Sequence, residues 1–575
     1  MKWVFTYLKP MRKRLAVGIG IKTVATLAEL MIPFLLTYII DNVIGKGTGD
    51  NVGRIVLFGV IMALFAAAAA VGNLVANRMA SKTTMLFSTR MREDLFSKTL
   101  SLSAKQTDAF TVPSLESRIT SDTYNVHNFV ATIQRMAIRA PILLLGGISI
   151  TLLMDWRLSL VMIATLPLIF IIVYSIARQG VPLYSRVQRS VDGMVRVVRE
   201  DAQGIRVIKA LSKVDYENRR YDEANRVLCK DETRAGTVMG ASNPSMTLLM
   251  NLGIVGVVAL SAYLVARGLS TAATVIAFMQ YFTLVSMAML SLSRIFVVYT
   301  KSAASARRIA AVLECESDLP QRQDDGKGSA DCHISFEGVS FSYLGKKKNL
   351  DNISFSLKKG QRLGIIGATG SGKSTVIRLL MRQYDADEGC VRINGKDVGS
   401  YTKEELTAMM GIVLQNDFLY AETVLENICF GRELSTEAVE KAAKIAQAHD
   451  FISAFPEGYL HGVTTGGTNI SGGQRQRLLI ARAVAASPDI LILDDASSAL
   501  DYKTDAALRQ ALRLALPDAT VVTVAQRVSS VMGCDLILVL DDGKLIGCGT
   551  HEELMKDCGE YREISESQMG GAFLD

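Results

Sequence analysis

Six long apolar runs occupy the first half of the chain, at approximately Leu15–Ile40, Ile55–Ala76, Phe129–Met154, Leu158–Ala177, Met246–Ala266 and Ala272–Val298. Each reaches the ~20 residues that a helix needs to cross a hydrocarbon core. A backbone in lipid has no water to bond with, so such runs close their hydrogen bonds internally as helices. Short links such as Asp155-Trp156-Arg157 and Arg267-Gly268-Leu269-Ser270 join the runs in pairs. Long polar stretches separate the second run from the third and the fourth from the fifth. Hydrophobic residues make up 49% of the 575 and charged residues 21%, which excludes disorder, a collagen-like repeat and a disulfide scaffold, and the six apolar runs exclude a wholly soluble chain.

The two long stretches are basic. The first carries Arg78, Lys82, Arg90, Arg92, Lys98 and Lys105; the second carries Arg178, Arg186, Arg189, Arg196, Arg199, Arg206 and Lys209. The positive-inside bias puts both in the cytoplasm, together with an N-terminus containing Arg12, Lys13 and Arg14. Their helical patterning predicts stalks that prolong the spanning helices and turn near Gln106–Leu115 and Val207–Tyr221. The net charge of +7 suits loops beside anionic lipid and gives no reason to expect a nucleic-acid partner. Eight cysteines without CxxC spacing read as free thiols in a reducing compartment. The N-terminus shows no signal-peptide pattern.

The expected division is a six-helix membrane domain at 1–315, a linker at 316–331, an α/β domain at 332–565 and a tail at 566–575. In the third of these, the apolar strand Arg362–Ile366 leads into Gly367-Ala368-Thr369-Gly370-Ser371-Gly372-Lys373-Ser374-Thr375 and then a helical pattern. This is a P-loop in its strand–loop–helix setting. The glycines let backbone N–H groups curl around phosphate, Lys373 reaches the terminal phosphates and Ser374 ligates Mg²⁺. Asp494 ends the apolar strand Ile490–Leu493 and fits a metal anchor. Gln415 ends another short strand, with its amide oxygen available to the metal. Ser471-Gly472-Gly473-Gln474 opens a helix, and small residues at a helix N-terminus suit an anion.

In this order these elements resemble the ATP-binding cassette exporter family. The chain resembles a half-transporter, with an all-α six-helix transmembrane domain fused to an α/β P-loop nucleotide-binding domain. Ser471–Gln474 looks like the family signature. By the same resemblance, Tyr343 is the aromatic residue that stacks on adenine, Gln415 the Q-loop residue and Asp501 the D-loop aspartate. The cofactors implied are ATP and Mg²⁺. The family sandwiches two ATP molecules between two such domains, each P-loop facing the other chain's signature. Residues 1–13 would form an interfacial elbow helix and the cytoplasmic turns would be coupling helices.

Two positions depart from the pattern. Active members usually carry Glu after the strand aspartate, where this chain has Asp495. The switch position, usually His, is Gln526, and none of the five histidines (127, 333, 449, 461 and 551) lies there. A carboxylate one methylene shorter sits about 1.5 Å further back, and a displacement near 1 Å can cost ~100-fold in rate. ATP binding should survive and hydrolysis at this P-loop should be slow. The pattern resembles the degenerate-site subunit of heterodimeric bacterial multidrug exporters. It implies a second half-transporter that supplies the catalytic Glu and switch His, while this chain's signature completes the partner's site.

The cargo is less legible. Lys22 and Arg135 lie near run ends, where snorkelling to the headgroups is the ordinary explanation. Glu29, well inside its run, is the leading cavity candidate, with a Glu hydrogen-bonded between packed helices as the alternative; Asn251 and Gln280 are further cavity candidates. An amphipathic or apolar small molecule is the expected cargo, with membrane lipid as the surrounding partner. A lipid, peptide or thiol-compound transporter of homo- or heterodimeric build stays open, as does a non-transporting ATP-gated regulator or channel subunit.

Overall fold

Asp155 stands where one spanning helix has to stop and the next begin. Its backbone is extended, and its carboxylate accepts from Arg157 N at 2.9 Å and Leu158 N at 3.5 Å, which caps the new helix. The helix it starts, Trp156–Ala210, runs for 55 residues, or ~80 Å at 1.5 Å per residue. Thr271 repeats the device: its hydroxyl oxygen accepts from Thr274 N at 3.2 Å and caps Ala272–Leu313.

The computed structural model describes residues 2–45, 52–324, 326, 328–329 and 331–569. Within these, six helices are long and apolar enough to span a membrane: Trp3–Ile44, Val52–Ser101, Val112–Met154, Trp156–Ala210, Val214–Ala266 and Ala272–Leu313. Each contains one of the apolar runs and extends beyond it, as the stalk reading expects. Leu153 is 89% exposed, and many other large apolar side chains also face outward, the arrangement expected of a surface that lipid covers. Residues 46–51 of the first link, positions 325, 327 and 330 of the linker, and 570–575 of the tail lie outside the described residues.

The chain divides into two units, Met1–Ser101 with Thr111–Cys315, and Leu102–Phe110 with Glu316–Asp575. In the first, polar ties cross between apolar helices. The buried Tyr281 hydroxyl donates to Leu30 O at 2.6 Å, and Arg308 Nε donates to the buried Asp122 Oδ2 at 2.7 Å. The N-terminal helix Lys2–Leu8 is held by the Tyr7 hydroxyl donating to Asp94 Oδ2 at 2.6 Å. The turn after the long fourth span falls at Leu211–Lys213, inside the expected window.

The second unit has two sheets. The strands are β1 (Ile334–Phe341), β2 (Leu350–Leu357), β3 (Arg362–Gly367), β4 (Glu388–Ile393), β5 (Lys396–Asp397), β6 (Met410–Val413), β7 (Ile490–Asp494), β8 (Thr520–Val524), β9 (Leu536–Asp541) and β10 (Lys544–Gly549). One sheet runs β2-β1-β4-β5 and the other β10-β9-β3-β8-β7-β6. In the six-stranded sheet β6 to β9 and β3 pair in parallel, and β10 closes the edge antiparallel. Strands β3, β7 and β8 are almost unbroken apolar runs because they are buried on both faces. Parallel sheets of this kind bind ligands beyond the carboxyl ends of their strands, and the P-loop leaves β3 at that end.

The short helix Ala104–Phe110 belongs to this second unit although it lies within the first 315 residues. Sequence contiguity hides this, because the segment docks through side chains: Asp108 Oδ2 accepts from the Tyr384 hydroxyl at 2.7 Å and Gln106 Nε2 donates to Glu316 O at 2.6 Å.

Candidate nucleotide site

The P-loop turns from β3 into the helix Lys373–Leu380. Gly372 has φ 103°, and a Cβ there would sit 2.7 Å from Leu350 Cδ2 and 2.8 Å from Asn349 O, so only glycine fits this turn. Lys373 Nζ donates to Gly367 O and Ala368 O, both at 2.8 Å. Burial lowers its pKa, against an opposing pull from Asp494 and Asp495.

A cavity of about 260 Å³ opens above the loop. It brings together Tyr343, Thr369, Gly370, Gly372, Lys373, Ser374, Thr375, Gln415, Asp494, Asp495 and Gln526, residues drawn from five separate stretches of sequence. Asp494, 5% exposed, is pushed up by burial and pulled back by its hydrogen bond to Ser374. A hydroxyl at the helix N-terminus bonded to a buried carboxylate is a donor set that suits a hard divalent cation bridging to phosphate. Gly367 and Ser371 complete the loop, and the Ser371 hydroxyl is buried.

Asp495 adopts φ 53°, in the left-handed region, which Asp tolerates better than most residues. This bend turns its carboxylate toward Gln526, whose Nε2 donates to Asp495 Oδ2 at 3.4 Å. Burial, then the neighbouring Asp494 charge, raise the Asp495 pKa. Three residues here were not singled out from sequence. Arg378 Nη1 donates to the Tyr343 hydroxyl at 3.2 Å, and Asn349 Oδ1 accepts from Tyr343 N at 3.1 Å. Gln568 brackets the switch segment, donating to Gln526 O at 2.9 Å and accepting from Val528 N at 2.8 Å. A base on the exposed face of the P-loop helix was a usable signal for Arg378; Gln568 is too distant in sequence to have given one.

The signature residues lie elsewhere. Ser471 Oγ accepts from Gln474 N at 3.3 Å while Gln474 Oε1 accepts from Ser471 N at 2.9 Å, a capping box that leaves Ser471 and Gly472 exposed. Neither they, nor Gly473, Gln474 or Asp501, line the cavity. Asp501 caps the helix Tyr502–Ala515. Gln476, on the signature helix, ties it to the following loop, donating to Ser498 Oγ at 3.0 Å and accepting from Ala499 N at 2.9 Å.

In the helical unit, Glu29 and Gln280 line one cavity of about 480 Å³, whereas Asn251 is exposed and does not line it. Lys22 does not snorkel as its position near a run end suggests. It is 5% exposed and turned inward, because Asn73 and Asn77 on the neighbouring helix offer it oxygens.

Comparison with known proteins matches this arrangement over nearly the whole chain. Residues 15–289 match the ABC transporter transmembrane region and residues 350–498 the ABC transporter domain. The ABC transporter ATP-binding protein YfiB of Bacillus subtilis (strain 168) is 33% identical, covering 99% of both chains. An ABC transporter ATP-binding protein of Mycobacterium tuberculosis (strain ATCC 25618 / H37Rv) is 32% identical over 98% of this chain and 97% of the relative. A solved bacterial Atm1-family ABC exporter with ATP bound superposes with a TM-score of 0.82 at 25% identity, covering 97% and 98% of the two chains. The fold and site define a membrane-embedded ATPase coupled to transport. The chain belongs to the ABC transporter family and has the exporter fold.

Proposed function

We propose that this protein exports amphipathic or apolar small molecules across the cytoplasmic membrane at the expense of ATP. It does so as the half of a heterodimer whose own nucleotide site turns over slowly. One observation carries this reading: the cavity at β3 collects Tyr343, Lys373, Asp494, Asp495 and Gln526 but excludes Ser471–Gln474. The signature is therefore free to serve ATP held by another chain. Tyr343 stacks on adenine, Lys373 neutralises the terminal phosphates, and Ser374, Gln415 and Asp494 hold Mg²⁺. Asp495 is a weakened general base and Gln526 holds the switch position without an imidazole. The partner supplies Glu and His. The basic stretches support a cytoplasmic N-terminus and nucleotide domain.

ATP draws the two nucleotide domains together. Segments docked on them, such as Ala104–Phe110, pass the movement to the spanning helices, whose cavity turns from inside to outside. The test is ATP-dependent uptake of a fluorescent amphipathic dye into inverted vesicles containing the chain with its co-expressed partner. Uptake that Lys373→Ala abolishes supports export. Dye entry that ignores ATP, or ion conductance without ATP consumption, overturns it.

A further inference from the structure

Lys22, Arg135 and Arg139 form a cationic cluster among the spanning helices that ATP chemistry leaves unused. The Lys22 ammonium donates to Asn73 Oδ1 at 2.7 Å and Asn77 Oδ1 at 3.3 Å, two uncharged amides. Arg135 Nη2 donates to Ser81 Oγ at 2.7 Å, again uncharged. Arg139 alone meets a carboxylate: its Nη2 and Nε donate to the two oxygens of Glu29 at 2.6 and 3.3 Å.

These three cations line a cavity of about 250 Å³ whose other wall includes Leu143 and Leu284. An adjoining cavity of about 840 Å³ shares Asn77 and Arg135 and adds Arg78 and Lys82. Among the described residues, no Asp or Glu lines either space. Glu29 lies in a third cavity and is occupied by Arg139.

Lys22 is buried, whereas Arg135 is exposed at the cavity wall. A buried cation is costly unless an opposite charge accompanies it, and amide oxygens satisfy hydrogen bonds without cancelling charge. The Glu29 carboxylate, whose charge reaches Lys22, is already paired with Arg139. Arg135 keeps most of its five N–H donors for another acceptor. Beside the cations stands an apolar wall. We infer that these cavities bind an amphipathic anion, with a carboxylate or phosphate head against Lys22 and Arg135 and an apolar body along Leu143 and Leu284. This narrows the cargo of the proposed exporter and rests on that reading. The negative head comes either from a soluble amphiphile or from an anionic lipid.

The full chain in phosphatidylcholine nanodiscs is titrated with dansyl-undecanoate and with its uncharged methyl ester. The anion should bind at least ~10-fold more tightly, equivalent to about 1.4 kcal/mol. Arg135→Gln should abolish the preference while leaving ester affinity in place, and Arg135→Lys should restore most of it. Lys22→Met is the second variant, with its thermal unfolding measured beside it because Lys22 also ties two helices. Equal affinity for anion and ester, or a preference that Arg135→Gln leaves intact, overturns the inference. Replacing part of the lipid with phosphatidylglycerol separates the sources: competition assigns the site to a lipid head, and undiminished probe binding assigns it to a soluble anion. ATP-driven vesicle uptake of the ester without any anion preference would defeat this inference alone. Anion preference without ATP-driven uptake would defeat the exporter reading and leave the site standing.

Discussion

The Tyr384 hydroxyl donates to Asp108 Oδ2 at 2.7 Å, and its ring meets Tyr343 edge-on, with centroids 5.1 Å apart. One residue thus touches both the proposed adenine platform and the short helix Ala104–Phe110. Burial, reinforced by the Asp108 bond, pushes the phenol up to about 12, so it remains a donor throughout the physiological range. Tyr384→Phe removes the hydrogen bond and keeps the ring. With Asp108 exposed, the loss should be about 1 kcal/mol. Hydrogen exchange in 104–110 should rise about fivefold, and transport should fall more than ATP binding. Unchanged exchange would separate this contact from docking.

Lys373 and Ser471 should behave differently because one lines the cavity and the other does not. Lys373→Ala removes a charged donor and should weaken ATP binding to this chain by about 10-fold or more. Ser471→Asn keeps a capping residue on the signature helix. It should leave this chain's ATP affinity within about twofold while lowering turnover of the assembled transporter. Nucleotide titration and steady-state turnover on the same preparations check both.

Gln568 holds Gln526 O and Val528 N at once. In a chain already carrying Asp495→Glu and Gln526→His, Gln568→Ala should lower turnover by about 10-fold through misplacement of the switch. ATP affinity should be retained. Equal turnover with and without Gln568 would show that the C-terminal helix does not position the switch.

Asp494 and Asp495 are both raised above the ordinary carboxylate range, chiefly by burial. A base acts only when deprotonated, so turnover should decline as pH falls through these raised values, earlier than an ordinary Asp predicts. Stability moves the other way. A raised folded pKa means that the folded state holds the proton more tightly than the unfolded chain. The contribution of these two groups is fully present below their unfolded pKa and is lost as pH rises through the folded value. The acid limb of the slow residual turnover at this chain's own site should therefore reflect lost chemistry rather than unfolding here, and Asp495→Asn should flatten it. Turnover and thermal unfolding followed over the same pH series distinguish the two causes.

The spanning helices were legible because ~20 consecutive apolar residues admit almost no other fate, whereas the capping roles of Asp155 and Thr271 emerge only in the structure. The P-loop was legible because glycine, lysine and serine at fixed spacing carry their own geometry. Gln568 was not, since it reaches Gln526 only once the domain has folded, and Asn349 and Arg378 offered only their positions near the P-loop, not their bonds to Tyr343. The inward turn of Lys22 was also hidden. Distance from a run end says nothing about which neighbouring helix offers Asn73 and Asn77. Nor does hydropathy reveal that Leu102–Phe110 docks with the later half of the chain, because the contacts that hold it are individual side-chain hydrogen bonds of Asp108 and Gln106.

The left-handed backbone at Asp495 bears on the central claim. Glu is less at ease there than Asp, so Asp495→Glu should lower stability slightly, by about 0.5 kcal/mol, while improving the chemistry. The most direct measurement is ATP turnover by this chain purified alone, beside the double variant Asp495→Glu with Gln526→His. The account predicts near-zero turnover that the two substitutions raise by about 100-fold. Brisk turnover by the unaltered chain would contradict it, because Asp495 would then suffice as the base and no catalytic partner would be required.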